Sequence, residues 1–230
     1  MHFSHSEDIW RDYPELVAGV VVAGSISADV ELGTRVAAFE AIAESRLAAS
    51  SEGELTEIQA WRRAFARMGL RPTQYRCAAE ALLRRYRNEG FLPRIHPLID
   101  LCNAISLAFA TPVAVLDRAK IAGYAEVRYA TGSETYLPFS GDIEHPAANE
   151  VIYADAEGRA HARRWTNRQS GYSAVRKETS DVLIVAEALH ATAAADVSRL
   201  VEAVAHNVAE LWSGTPKTAR PTRTSPRVEL

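Results

Sequence analysis

The periodicity of the chain changes near Thr111, from mainly helical spacing to short β-like pieces, and that change limits the architectures open to it. Before it, apolar residues recur at helical spacing. Ser27 and Asp29 offer caps for an alanine-rich helix to about Ala49, with Val36, Phe39 and Ala43 on one face. Further helices are expected over about Leu55–Met68, Cys77–Glu89 and Leu98–Ala110, the first two closed by Gly69 and Gly90 and the last framed by Pro93 and Pro97. Only the β-branched run LVAGVVVA, Leu16–Ala23, reads as an early strand. After Thr111 the pattern breaks into short β-like pieces: PVAVLD, YAEVRYA, ETYLPF, EVIYAD, RAHARRW and DVLIVAEAL. Asp155 and Gly158 suit a hairpin turn between two of them. A last helix covers about Ala193–Trp212. With no βαβ alternation, the order predicts an α+β fold, helices of the N-terminal half packed on a mixed sheet formed mainly by the C-terminal half.

With 230 residues, 47% of them hydrophobic, the chain can bury one sizeable core, so a single domain is expected over 1–212. Residues 213–230, SGTPKTARPTRTSPRVEL, carry too few apolar side chains for a packed face and read as a flexible, mildly basic tail. The N-terminus lacks the order of a signal peptide and no apolar run reaches membrane-spanning length, which points to a soluble, cytoplasmic protein without a membrane partner. Cys77 and Cys102 have no metal-ligand spacing and read as buried thiols. His96, His145, His161, His190 and His206 form no metal motif, and neither a GxSxG elbow nor a phosphate-binding Walker loop is present, so no metal and no cofactor are expected.

The net charge of −3 conceals a polarised distribution. Carboxylates dominate before residue 60; then Arg62, Arg63, Arg67, Arg71, Arg76, Arg84, Arg85, Arg87 and Arg94 face only Glu80 and Glu89. Such a cluster suits phosphate recognition, with Tyr75 and Tyr86 as stacking surfaces. It equally suits solvated helix faces paired with the acidic N-terminal region. Asp100 and Asn103 put a carboxylate and an amide on one face of an apolar helix, as a structural bond or as a pocket wall. The stretch RRWTNRQSGYS, residues 163–173, supplies several donors and acceptors between two strands.

Taken together, LRPTQYRCAAEALLRRYRNEGFLPRIHPLIDLCNAISLAFATPVAVLDRAKIAG, EVIYADAEGRAHARRWTNRQS and TSDVLIVAEAL resemble the B3/B4 domain of the phenylalanyl-tRNA synthetase beta subunit, and more closely still its free-standing versions, over about residues 60–190. In the synthetase that domain hydrolyses tyrosine wrongly attached to the phenylalanine tRNA, in a pocket between helix and sheet. Asn103 matches the pocket asparagine, and Pro112 and Asp117 match a Pro-x-His-x-x-Asp stretch whose histidine position is Ala114 in this chain. The nearest region to the glutamate that reads the tyrosine hydroxyl is Gln169 to Gly171. The resemblance implies hydrolysis of the ester of mischarged tRNA in trans, with aminoacylated tRNA as partner. Asn103 and Gln169 then orient the ester, Tyr75, Arg76, Arg94, His96, Asp100, Arg164, Trp165 and Ser170 bind substrate, and Arg62, Arg63, Arg67, Arg84, Arg85 and Arg87 bind RNA. Two alternatives stay open: a non-catalytic tRNA or amino-acid binding protein, favoured by Ala114, and a hydrolase of small aminoacyl esters or amides.

Overall fold

The computed structural model describes residues 1–230. In chain order its elements are β1 (His2–His5), α1 (Glu7–Asp12), β2 (Val17–Ala23), α2 (Arg35–Ala49), α3 (Thr56–Arg67), α4 (Ala78–Glu89), α5 (Pro97–Phe109), β3 (Val113–Asp117), β4 (Tyr124–Tyr129), β5 (Val151–Ala154), β6 (Ala160–Arg163), β7 (Arg168–Gln169), β8 (Val182–Ala188), α6 (Ala193–Trp212), β9 (Lys217–Ala219) and β10 (Arg227–Glu229). The fold is α+β, but with two sheets where the sequence pointed to one. The first runs β10-β1-β4-β5-β6-β7, with β1 parallel to β4 and the other pairs antiparallel. The second is antiparallel throughout, in the order β3-β8-β2-β9.

Local chemistry explains most boundaries. Cys77 caps α4, its sulfur accepting from Glu80 N, and Gly90 ends the helix at a φ of 77°, which only glycine adopts freely. His96 caps α5 and Pro97 opens it. In β2, Gly19 lets α6 lie close: a Cβ there would sit 2.4 Å from Val201 Cγ2 and 2.8 Å from Val197 Cγ1. Asp155 closes the β5–β6 hairpin, its Oδ1 accepting from the N–H groups of Glu157 and Arg159, with Gly158 at a φ of 71°.

Three expectations are corrected. The helix after β2 starts at Arg35, because Trp212 Nε1 donates to Ser27 O and holds the preceding segment out of helix. The piece ETYLPF is not a strand but makes two isolated bridges, with the carbonyl of Leu137 taken by Gly171 N and Ser170 Oγ. The segment after Ser213 is not a loose tail: β9 pairs with β2 and β10 with β1, and Ala219, Val228 and Leu230 pack partly buried against the main core. Sheet edges bind backbone, so this docking needs no apolar periodicity. Deletion from Gly214 onward is accordingly expected to lower unfolding stability by about 2–4 kcal/mol, from the apolar area re-exposed and two edges unpaired. Thermal melting of the truncated chain checks this, and an unchanged midpoint would make the pairing energetically idle.

Candidate active site

A small cavity of about 60 Å³ lies where β3, the N-terminus of α4, the strands β5, β6 and β8 and the segment 165–169 meet. Ala78, Pro112, Val113, Ala114, Ala162 and Val185 form apolar walls. The polar side comes from Thr166, Asn167, Arg168 and Gln169, and the deep end from Tyr153, Trp165 and Glu187.

Glu187, on the central strand β8, is 1% exposed. Its Oε1 accepts from His5 Nε2 at 2.7 Å and from Trp165 Nε1 at 2.9 Å, and its Oε2 from the Tyr153 hydroxyl. Burial, reinforced by the Glu187 charge, pushes the Tyr153 phenol well above its ordinary range, so it remains a donor. Three distant segments of chain converge on one carboxylate, a contact set that no sequence spacing announces.

The segment 164–169 is held in an unusual shape. Arg164 and Trp165 both take left-handed backbone conformations, at φ of 48° and 57°, each costing of order 1–3 kcal/mol for a side-chain-bearing residue. The surroundings compensate. Trp165 is fully buried, its ring set edge-on to Tyr13 and Trp61; the Arg164 guanidinium lies 4.8 Å from the Tyr75 ring centre; Asn167 Nδ2 donates to Arg76 O; and Ala78 N donates to Thr166 O. This strained turn aims Thr166 and Gln169 at the cavity. Gln169 Nε2 donates to Val115 O at 2.7 Å, while the buried Thr166 Oγ1 has no hydrogen-bond partner in the protein. Buried polar atoms are nearly always paired, so this hydroxyl on the cavity wall is open to a water or a ligand in the cavity.

The residues singled out in the sequence divide. Gln169, Trp165 and Ala114 line the cavity, and Arg164, Tyr75 and Arg76 flank it through the contacts above. Asn103 does not join Gln169 there: it shares the half-buried face of α5 with Ile99 and Asp100, because the helix turns its fully buried face elsewhere. Asp100 Oδ1 accepts from Ile95 N and closes the α4–α5 loop. His96 Nδ1 accepts from Leu98 N, and burial lowers its pKa, keeping the imidazole neutral. Ser170 is buried, bonded to both backbone groups of Leu137, and Arg94 is exposed on the loop before α5.

Of the arginines read as RNA contacts, Arg62 pairs with buried Glu80 at 2.5 Å, Arg85 with Glu89 at 2.9 Å, Arg67 with Glu15 and Arg87 with Glu52. The Arg67 and Arg87 pairs join the cluster to the acidic N-terminal region, while Arg62 and Arg85 pair with the two carboxylates inside it. Arg63 and Arg84 stand exposed without a salt bridge.

Three features missed in the sequence matter most: Glu187, Tyr153 and Thr166. A carboxylate reaches this cavity from β8, as Glu187, beside the Gln169 contributed by the segment matched in the sequence. Thr166 lay inside the polar stretch already marked, and only its missing partner distinguishes it.

Ser173, His161 and Asp155 also form a chain, with His161 Nδ1 2.9 Å from Ser173 Oγ and Nε2 3.1 Å from Asp155. All three are buried and none lines the cavity, so this serine is no accessible nucleophile. Burial pushes both thiols, Cys77 and Cys102, up to about 12, which makes them inert. No group of three or more His, Cys, Asp or Glu residues is placed to hold a metal, and no helix is long and apolar enough to cross a membrane.

The family model of the B3/4 domain matches residues 60–207, more than half of the chain and all of the cavity wall. This chain belongs to the B3/4 domain family. Among solved structures, the B3/4 chain is similar to an N-terminal fragment of the phenylalanyl-tRNA synthetase beta subunit from Pyrococcus horikoshii, with a TM-score of 0.49 and 11% identity. That similarity covers 95% of this chain and 53% of the other, so the chain spans about half the length of that fragment. No curated protein sequence matches it.

Proposed function

We propose that this B3/4 chain binds the aminoacyl end of a tRNA in the cavity and hydrolyses the ester in trans. The observation that carries this reading is the unpartnered Thr166 hydroxyl on the wall of an apolar cavity, three residues from the amide of Gln169 and beside the arginines of the same segment. An aminoacyl ester is already activated, so positioning and charge stabilisation suffice. The apolar walls take the amino-acid side chain. Thr166 Oγ1 donates to the ester carbonyl oxygen, where negative charge develops as water adds to the carbonyl carbon. The Gln169 amide, held by Val115 O, orients that water. Collapse of the adduct breaks the bond to the ribose oxygen, which leaves with a proton, and the tRNA's neighbouring hydroxyl completes the polar surroundings. Arg168, with its side chain 46% exposed, and Arg164 supply cations for the terminal phosphates.

Incubation of the purified protein with a panel of mischarged tRNAs, following ester loss with time, tests the reading directly. Arg168→Ala is expected to weaken tRNA binding and to flatten the dependence of log affinity on log salt by roughly one unit. Arg85→Ala, which removes an exposed pair with Glu89, is expected to leave that slope alone. Equal slopes in both variants would move the tRNA contact away from the cavity rim.

A second reading, binding without turnover, is favoured by Ala114, which puts a methyl group on the cavity wall at the family's histidine position. Charged tRNA that binds and keeps its ester would select it.

A further inference from the structure

The segment 217–227, KTARPTRTSPR, carries the cations Lys217, Arg220, Arg223 and Arg227 and no acid, and all of these side chains are exposed. It lies outside residues 60–207, the part of the chain that matches the B3/4 family model. Of the set, only Arg227 makes an ion pair, with Glu229. Arg220 spends one N–H on the carbonyl of Ala194 and shares a cleft with Glu202 without pairing with it, and Lys217 and Arg223 form no salt bridge. The arginines of α3 and α4 that carry partners are largely neutralised; this segment is not.

Like charges so close together repel, and a chain of this composition stays loose unless something holds it. Here the backbone does. On one side β9 pairs with β2, and on the other β10 pairs with β1. Between them Pro221 is buried, and Thr222 and Ser225 exchange backbone bonds of 3.0 and 3.1 Å that close a turn with Arg223 and Thr224 at its tip. The cations are therefore fixed before a partner arrives, which removes much of the ordering cost of binding one. Beside them lies an open groove of about 250 Å³, with Trp10, Pro14 and Val17 on one wall and Arg220 and Arg223 on the other. Cations that recur every third residue suit a partner whose negative charges also recur, and the exposed hydroxyls of Thr222 and Thr224 add donors for phosphate oxygens. In its sheet β9 stands three strands from β3, on the cavity wall, about 14 Å at the usual strand spacing. A few nucleotides of phosphodiester chain span that distance.

We propose that the docked C-terminal segment is an RNA-backbone contact surface, on which Lys217, Arg220 and Arg223 hold phosphates of the tRNA whose acceptor end enters the cavity. The identity of the RNA rests on the reading above; the surface itself rests on the fixed, unpaired cations.

The test follows binding of an uncharged tRNA transcript to the intact protein by fluorescence anisotropy across a salt series. The triple variant Lys217→Ala, Arg220→Ala, Arg223→Ala is expected to bind at least about tenfold more weakly and to flatten log affinity against log salt by about two to three units, the counterion release of three phosphates. Arg220→Lys with Arg223→Lys keeps the charges and is expected to keep the slope. Circular dichroism checks that the variants are folded. A second measurement needs no variant: in the wild type, the tryptic cut after Arg223, at the tip of the turn, is expected to slow when the tRNA is bound. An unchanged slope in the folded triple variant, or an unchanged cut after Arg223 with tRNA bound, overturns the proposal and leaves the cavity reading standing. Phosphatidylglycerol vesicles that bind the wild type but not the triple variant, with tRNA affinity the same in both, give the surface to a lipid and overturn it as well. A wild type that binds no tRNA yet hydrolyses a minimal aminoacyl-adenosine ester overturns this surface alone; one that does neither overturns the proposed function with it.

Discussion

Replacing Thr166 with Val lowers single-turnover ester hydrolysis by roughly a hundred- to a thousandfold, the loss typical when one donor to a developing oxyanion is removed, while the stability of the fold holds or rises. The two halves of this expectation have one cause. Thr166 Oγ1 is buried and has no partner in the protein, so its burial is a cost that the folded chain alone never recovers. Valine fills the same volume without the polar atom, which removes the cost along with the function. Stability gained where activity is lost is the signature of a group kept for its ligand. The measurements are single-turnover deacylation and urea unfolding on the same preparation. Full activity in the variant would take Thr166 out of the chemistry. A marked loss of stability would show that the hydroxyl has a structural partner.

Replacing Glu187 with Ala costs about 3–5 kcal/mol of folding stability, as breaking a buried charged hydrogen-bond set does. The substitution strands the His5 ring nitrogen, the Trp165 indole N–H and the Tyr153 hydroxyl, all in buried surroundings, and opens a void beside two rings. Activity falls further than stability, because Trp165 anchors the left-handed turn that aims Thr166 and Gln169. Glu187→Gln keeps the shape but replaces one acceptor oxygen by an NH2 group in a set where the Trp165 indole can only donate, so its loss is expected between wild type and Ala. Denaturant midpoints in that order, with parallel slopes, support the network. An Ala variant that unfolds with the wild type would show the carboxylate to be dispensable.

The sequence by itself determined the elements whose signal is local. Period-3.6 apolar stripes set α3, α4 and α5 within a residue or so, Gly90 and Pro97 punctuated them, and the β-branched runs set β2 and β8. It also carried the family, because the Asp-x-x-Asn helix, the Pro and Asp of the next strand and the polar stretch 163–173 follow in order along the chain. Even Gln169 was within reach, as part of a segment dense in donors and acceptors.

Tertiary structure decided the rest, for a common reason: the partners are far apart in sequence. His5 and Glu187 are separated by most of the chain, so nothing near Glu187 in DVLIVAEAL distinguishes a cavity carboxylate from an ordinary charge at a strand end. The β9 and β10 segments are recruited through backbone hydrogen bonds to open edges, which leave no mark on side-chain pattern. The arginines carry the same charge in either reading, and only packing showed Arg62 and Arg87 reaching the buried Glu80 and Glu52. Asn103 was assigned by its match within a helix, yet whether that helix meets the cavity is set by how α5 packs among its neighbours, and none of its residues lines it. Local sequence encodes the backbone's preferences within a turn or two; a site built across two sheets and a strained loop exists only once the long-range contacts have closed.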